Sequence, residues 1–423
     1  MIHLNLAQYK NKYIEILFIL LPISLIFSSV VAELILFMLI IVYFKFVERT
    51  EAIYLFKQPI IYPLYIFWAY LILNYFINFD NNPSFLRTIF FIRFILLIIA
   101  VNYFINYLNI DLKKIFKFWL FFIIFICFDI FWQFFFTKNL IGYPSVPAGQ
   151  DIFRLGGMMG DELKIAFFIF YFGTIVFSFY FQKNYNRNTL NIFFLIFLLF
   201  TIFITGERSN LISMLVFLFL TLIFIKFNKK IFLIFFIIIL NIFLILNFFQ
   251  KELTSRMLIE LPNNFKLLKI EKNKNFFNKD SQYFSHYSTA YQIYKEHKLF
   301  GVGLKNFRNF CDKEIYKKEV YKGYEDRNCR THPHNLYLEI LSEIGLIGFL
   351  IFFSFFINVF LKFIITIFKS KNYFISLSFF SILIYFIPIL PRGSFFNNWN
   401  AIIFWFIFSF VFSLYFKLKF KND

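Results

Sequence analysis

Two histidines and an asparagine stand directly before a long apolar segment, in the order His332, Pro333, His334, Asn335. Titratable groups are costly near a bilayer, so their presence at the entry of an apolar segment suggests a role. A neutral imidazole accepts a proton and so serves as a general base. His334 is therefore a candidate base. The alternative is a capping or interfacial histidine without a chemical role.

The residues after His334 predict a helix that continues into the apolar segment without interruption. Pro333 suits the first helical turn, where its missing N–H costs nothing. The positive end of the helix dipole would then disfavour the imidazolium form of His334. Asn335 would lie on the neighbouring stripe of the helix surface. Gly345 and Gly348, three residues apart, would allow another helix to approach closely.

Arginines at turns between apolar segments are further candidate functional residues, because charge is costly there as well. Arg208 lies in the turn T-G-E-R-S at 205–209, where an arginine is costly unless it faces a polar cavity. Its planar guanidinium matches phosphate oxygens. The alternative is an interfacial arginine that extends its charge to water. Glu207 would either orient Arg208 or be a solvated neighbour. Arg154, beside several glycines, is a second candidate for substrate contact, and Arg392 is a weaker one.

The composition determines the class of protein. Hydrophobic residues make up 60% of the chain and charged residues 16%. Apolar runs of about 17–25 residues recur, each long enough to cross a bilayer. The sequence predicts an all-α polytopic membrane protein with about 12 transmembrane helices and one large periplasmic loop. The predicted spans are 13–30, 31–47, 59–77, 88–107, 115–136, 163–181, 189–205, 209–227, 230–249, 337–361, 372–390 and 397–416.

These spans divide the chain into three predicted parts. Residues 1–249 form a membrane domain of about nine transmembrane helices. Residues 250–335 form a loop domain outside the membrane. Residues 336–423 form a second membrane domain of about three helices, with the histidine stretch at its entry.

The net charge of +19 is mostly a signal of topology rather than of nucleic-acid binding. Lysines and arginines concentrate in alternate inter-span segments, which predicts that those segments and both termini are cytoplasmic. The segments 138–162, 205–209, 250–335 and 391–398 then fall together on the opposite face. Cys311 and Cys329 lie in the long loop on that face, where an oxidising compartment would permit a disulfide.

Several of these features together resemble the superfamily of bacterial O-antigen ligases and O-antigen polymerases, membrane glycosyltransferases with a C-type-like fold. The pattern H-N-x9-G-x-x-G (His334, Asn335, Gly345, Gly348) looks like the signature of that superfamily. The resemblance extends to L-F-G-V-G-L-K-N-F at 299–307, T-G-E-R-S at 205–209 and F-F-N-N-W at 395–399, and covers most of the chain.

The resemblance implies a reaction and its partners. Such enzymes move a glycan from undecaprenyl pyrophosphate to a sugar hydroxyl, which in the ligases belongs to lipid A–core of lipopolysaccharide. His334 would be the general base and Arg208 would stabilise the departing pyrophosphate. No metal cofactor is expected, since the sequence contains no Asp-x-Asp motif. Nucleic acid is not an expected partner. The enzyme would lie in the bacterial inner membrane with its site on the periplasmic face.

The second ligand of the pyrophosphate stays open. The better-known ligases carry an arginine in the long loop, whereas the matching stretch here, 285–297, has His286 at about that place. His286, Arg256, Arg308 or Arg154 could supply the second contact. The candidate substrate-binding set is Arg154, His286, Arg308, Asn335 and Glu207.

Three functions compete. A ligase is favoured over a polymerase of O-antigen or another surface polysaccharide, because the His-Asn-x9-Gly pattern and the single late loop look more like the ligase branch. A transporter or flippase of lipid-linked oligosaccharides is the third reading. The sequence shows no internal repeat, and its polar candidates lie on one face, unlike the midplane sites of many transporters.

Overall fold

The computed structural model describes residues 2–108, 110–149, 152–183, 188–225, 253, 257, 284–316, 329–370, 372–388 and 390–422. In these ranges the chain is mostly helical. Six helical segments among the described residues are long and apolar enough to cross a membrane: Ser29–Phe46, Phe85–Asn106, Leu112–Phe136, Ile165–Lys183, Leu336–Ile367 and Asn398–Leu418. The chain is therefore a multi-pass helical membrane protein. The count of about 12 spans and the large outer loop stay predictions.

A helix lies in each predicted span that falls within the described residues, although several helix ends differ from the predicted bounds. In chain order they are α1 (Ile2–Phe27), α2 (Ser29–Phe46), α3 (Arg49–Phe56), α4 (Tyr62–Ile77), α5 (Phe85–Ile89), α6 (Ile92–Asn106), α7 (Leu112–Phe136), α8 (Ile165–Lys183), α9 (Asn188–Ile204), α10 (Arg208–Phe224), α11 (Phe284–Glu296), α12 (Phe307–Phe310), α13 (Leu336–Ser370), α14 (Tyr373–Tyr385) and α15 (Asn398–Asn422). The predicted span at 230–249 lies outside the described residues.

Two features depart from an all-α fold with simple turns. A small antiparallel hairpin pairs β1 (Val146–Gly149) with β2 (Ile152–Arg154). The short helix α3 also fills a segment that the sequence assigned to a connection. Both elements are short and half-polar, so neither leaves a hydropathy signal.

The centre of the bundle is formed by α6, α8 and α15. Side chains from 401 to 414 on α15 are buried around its whole circumference. Trp405 stacks on Phe94 of α6, with ring centroids 6.0 Å apart. The helix α2 differs, because Val30, Leu34 and Met38 leave one stripe exposed. An apolar stripe without a protein partner is what a lipid-facing helix presents.

The helix α13 is broken at Gly345, so the predicted uninterrupted helix is wrong. Gly345 has φ 69° and ψ −174°, which is not a helical conformation. The break frees the carbonyls of Ser342 and Glu343, which accept hydrogen bonds from Val302 N–H (3.0 Å) and Gly303 N–H (2.8 Å). The G-V-G segment before the histidine motif therefore hydrogen-bonds to the interrupted helix as an added strand would.

The two glycines of α13 allow close approach, as predicted, but to different partners. A Cβ on Gly348 would lie 2.6 Å from the Tyr70 ring of α4, so a helix approaches there. The Tyr70 hydroxyl donates to the Ile344 carbonyl at 2.6 Å. At Gly345 the partner is instead the backbone of Leu299 and Phe300.

The Gly345→Ala variant is expected to unfold more easily than the wild type, by at least about 3 kcal/mol. Alanine would be strained at φ 69°, and its Cβ would overlap the Leu299 backbone. The matched control is Gly142→Ala, because Gly142 has φ 94° and open space around it. That control should lose only about 1–2 kcal/mol. Thermal or denaturant unfolding in detergent measures both losses, and equal losses would show that the close approach does not matter.

Candidate functional site

His334 lies in the residue pair that precedes α13 rather than in its first turn. Its φ is 57°, in the left-handed region, and the helix begins at Leu336. Asn335 caps the helix, because its side-chain oxygen accepts the N–H groups of Tyr337 (3.0 Å) and Leu338 (3.1 Å). Asparagine is a strong N-cap, which explains why the helix begins at Leu336, three residues later than Pro333 suggested.

Three histidines gather at this point. The His334 ring centroid lies 4.2 Å from that of His332 and 5.6 Å from that of His286 on α11. Burial, followed by repulsion from His332 and His286 when these are protonated, lowers the pKa of His334 to about 3. Burial and the charge of Lys305 lower the pKa of His332 to about 4. Both imidazoles are neutral at neutral pH, as a general base requires.

The rate of the His334-dependent reaction is expected to fall less than about twofold between pH 7.5 and pH 5, because the imidazole stays unprotonated over that range. A histidine with an ordinary pKa near 6.5 would lose roughly thirtyfold. The free energy of unfolding should fall as the pH drops below 6.5, because His334 becomes protonated in the unfolded chain but stays neutral in the folded protein. A pH–rate profile beside a pH–stability profile checks both. A rate that falls with an apparent pKa near 6.5 would contradict this assignment.

A buried ionic network that the sequence did not reveal holds the segments around His334 together. Lys305 donates to the Ser394 hydroxyl, and its Nζ lies 3.7 Å from Glu339 Oε1. The Ser394 hydroxyl donates to Glu339, which also accepts the Phe395 N–H at 3.0 Å. Glu343 accepts the Lys305 backbone N–H at 2.8 Å. The sequence did contain a signal for this network. A lysine in the G-V-G-L-K segment and glutamates on α13 stand in apolar surroundings, and buried charges need partners.

Arg392 links the histidine stretch to α10. Its backbone N–H donates to the His334 carbonyl at 2.9 Å. Its Nη2 donates to Ser213 Oγ (3.0 Å) and to the Ile384 carbonyl (2.9 Å). Ser213 belongs to α10, whose first residue is Arg208. One residue of the 391–398 loop therefore contacts both His334 and the helix that begins at Arg208.

The hairpin brings Arg154 to the turn that carries Arg208. Arg154, at the end of β2, forms an ion pair with Glu207. The Leu155 N–H donates to the Thr205 carbonyl at 3.2 Å. Gly206, with φ 75°, would place a Cβ 3.3 Å from Arg154 Cγ, so the glycine permits this approach. Glu207 is thus paired with Arg154, and its predicted roles beside Arg208 stay predictions.

The remaining predicted residues are Asn335, two loop arginines and two loop cysteines. Asn335 is buried, and its amide donates to the Pro388 carbonyl at 2.8 Å in addition to capping α13, while its contact with substrate stays a prediction. Arg308 is exposed on the short helix α12. Arg256 lies outside the described residues. A disulfide joins Cys311 to Cys329, whose Cα atoms are 5.0 Å apart, and so ties α12 to the segment that leads to His332.

A family model described as O-antigen ligase matches residues 193–353. This stretch holds the Arg208 turn, the long loop and the His334 motif. That part of the chain is similar to the O-antigen ligase family. No curated protein matches the chain. The match supports an O-antigen ligase or polymerase family membrane enzyme.

The O-antigen ligase match separates two groups of site residues. Arg208, His286 and His334 lie inside the matched stretch, whereas Arg154 and Arg392 lie outside it. The places of Arg154 and Arg392 beside the site therefore come from the tertiary contacts alone. Chemically, the arrangement offers neutral imidazoles as bases and guanidinium groups as ligands for anions. Among the described residues, no group of three or more His, Cys, Asp or Glu side chains is placed to hold a metal ion.

Proposed function

We propose that the protein is an O-antigen ligase that transfers a glycan from undecaprenyl pyrophosphate to a sugar hydroxyl of lipid A–core. The observation that carries this proposal is the contact between the His334 peptide and Arg392, which in turn reaches the helix that begins at Arg208. A base and a set of phosphate-binding groups near one another are what this transfer needs.

In the proposed reaction, His334 takes the proton of the acceptor hydroxyl as its oxygen attacks the anomeric carbon of the glycan. The bond between that carbon and the pyrophosphate oxygen breaks, and undecaprenyl pyrophosphate leaves with its electron pair. Arg208 stabilises the charge that develops on the leaving group, because a guanidinium presents N–H groups in the geometry of phosphate oxygens. Arg154, His286 and Arg308 are proposed to contact the donor or acceptor, with Glu207 holding Arg154.

We propose that the site faces the periplasm from the bacterial inner membrane, where both lipid-linked partners are present. Support comes from the contacts among the segments that the charge pattern placed on one face. Arg154 meets the 205–209 turn, and Lys305 and His334 meet the 391–398 loop. Tyr143 and Asn397, from two of these segments, also line one cavity of about 510 Å³.

Reconstitution tests the function directly. The purified protein is combined with undecaprenyl-pyrophosphate-linked glycan and either lipid A–core or a second donor molecule, and the products are separated by gel electrophoresis. Transfer to lipid A–core supports the ligase, whereas chain growth without lipid A–core would identify a polymerase. EDTA is expected to leave the rate unchanged. Inhibition by EDTA that magnesium reverses would contradict a leaving group stabilised by arginine alone.

A further inference from the structure

The guanidinium of Arg392 is buried with most of its hydrogen-bonding capacity unused. The residue is 4% exposed, and only Nη2 has acceptors, which are Ser213 and the Ile384 carbonyl. Nε and Nη1 have no hydrogen-bond acceptor in the described part of the chain. Buried donors without acceptors are rare and unfavourable in folded proteins, and those of a charged group most of all.

The surroundings of Arg392 favour an anion. No carboxylate within the described ranges forms an ion pair with it, although buried arginines normally have one. Its Cζ lies 5.7 Å from the Tyr385 ring, which also packs on Tyr171 with ring centroids 6.1 Å apart. The Tyr171 hydroxyl is buried and has no partner among the described residues. A cation and a hydroxyl donor, both buried and both available, are suited to an oxygen that carries negative charge.

Arg93 is a buried arginine of the same protein that does have a carboxylate partner. It is 5% exposed and forms an ion pair with Glu33, and its Nη1 and Nη2 donate to the Phe90 carbonyl and to Asn398. Arg392 is similarly buried but has no such carboxylate among the described residues. The unused donors of Arg392 belong to a residue whose backbone N–H bonds to the His334 carbonyl.

We propose that Arg392 binds a phosphate oxygen of the lipid-linked donor, with the Tyr171 hydroxyl as a second donor. This inference rests on the proposed function, which supplies the pyrophosphate. Two of the arginine's own bonds, from its backbone N–H to His334 and from Nη2 to Ser213, fix the guanidinium before substrate arrives. A group held in this way binds an anion without the cost of ordering a flexible side chain.

The test measures binding rather than transfer. The full-length protein in detergent is titrated with undecaprenyl pyrophosphate that carries no glycan, and in a separate arm with phosphatidylglycerol as a bilayer phosphate. Arg392→Gln is expected to weaken undecaprenyl pyrophosphate binding about tenfold to hundredfold, and Arg392→Lys at least about fivefold. The charge control is Lys138→Gln, an exposed residue, which should bind within about twofold of wild type. Unchanged binding in both Arg392 variants would overturn the inference.

Tyr171→Phe is a second variant that tests the inference even if the Arg392 variants do not fold. The lost hydroxyl has no described partner, so the melting temperature should not fall, and binding should weaken about threefold. If the Arg392 variants do not fold and Tyr171→Phe binds as wild type does, the inference fails. It also fails if Arg392 variants lose phosphatidylglycerol but keep undecaprenyl pyrophosphate. If binding of undecaprenyl pyrophosphate depends on Arg392 but the wild-type protein transfers glycan to neither acceptor, the anion site is supported and the ligase function is overturned.

Discussion

Replacing His334 with asparagine is expected to lower the rate of glycan transfer by roughly 10²–10⁴-fold while the protein still folds. Asparagine cannot take up the acceptor's proton. It does tolerate the left-handed conformation, which His334 adopts with φ 57°. The transfer rate in reconstituted membranes and the melting temperature in detergent are measured together. His334→Ala should lose as much activity but also some stability, because alanine is disfavoured at that φ.

The matched control for His334 is His297→Asn. His297 is half-buried in the same loop region, and its ring packs on Phe310 with centroids 5.7 Å apart, outside the histidine cluster. Its replacement should change the transfer rate by less than about threefold, as for a residue without a chemical role. Full activity in His334→Asn would end the general-base assignment. Equal losses in both variants would show that the loop's fold, rather than proton transfer, was disturbed.

Replacing Arg208 with alanine is expected to lower the turnover rate by roughly 10²–10³-fold, because stabilisation of charge on the leaving group acts mainly in the transition state. Arg208→Lys should recover only part of the loss, since an ammonium keeps the charge but not the planar fork. Arg208 is the first residue of α10 and its side chain is half-buried, so the fold should tolerate both changes. Turnover and KM are measured separately for each variant.

Lys183→Gln is the control for Arg208. Lys183 ends α8, on the face that the charge pattern assigns to the cytoplasm, and it is exposed. Its replacement should leave the turnover rate unchanged. An Arg208→Ala enzyme with normal turnover and a raised KM would show that Arg208 binds donor equally in the ground state and the transition state. Normal values for both constants would remove Arg208 from the mechanism.

The membrane class and the individual helices were predictable from the sequence because hydropathy is a local property. A run such as that of α7 or α15 is apolar over its whole length, and no distant contact is needed to recognise it. Several helix ends are also set by cap residues, which act on backbone groups only a few positions away. Ser28 caps α2 by accepting the Val31 N–H, which explains the short turn between the first two helices.

The break in α13 was not predictable from local sequence. Glycine is tolerated within helices, and nothing near Gly345 forbids one there. The break is stabilised by hydrogen bonds from Val302 and Gly303, about forty residues earlier, and by the Tyr70 hydroxyl, far earlier still. The H-N-x9-G-x-x-G pattern pointed to Gly345, but it did not reveal that Gly345 packs against the segment at Leu299 and Phe300 instead of a helix.

The sequence by itself determined that this is a helical membrane protein and marked His334, Arg208 and Arg154 as its polar candidates, because titratable side chains stand out against apolar surroundings. Only the tertiary structure decided which polar residues contact one another. Glu207 pairs with Arg154, Lys305 with Glu339, and Arg392 reaches both His334 and Ser213. Such pairings join residues tens to hundreds of positions apart, so they depend on how the helices pack rather than on any local pattern.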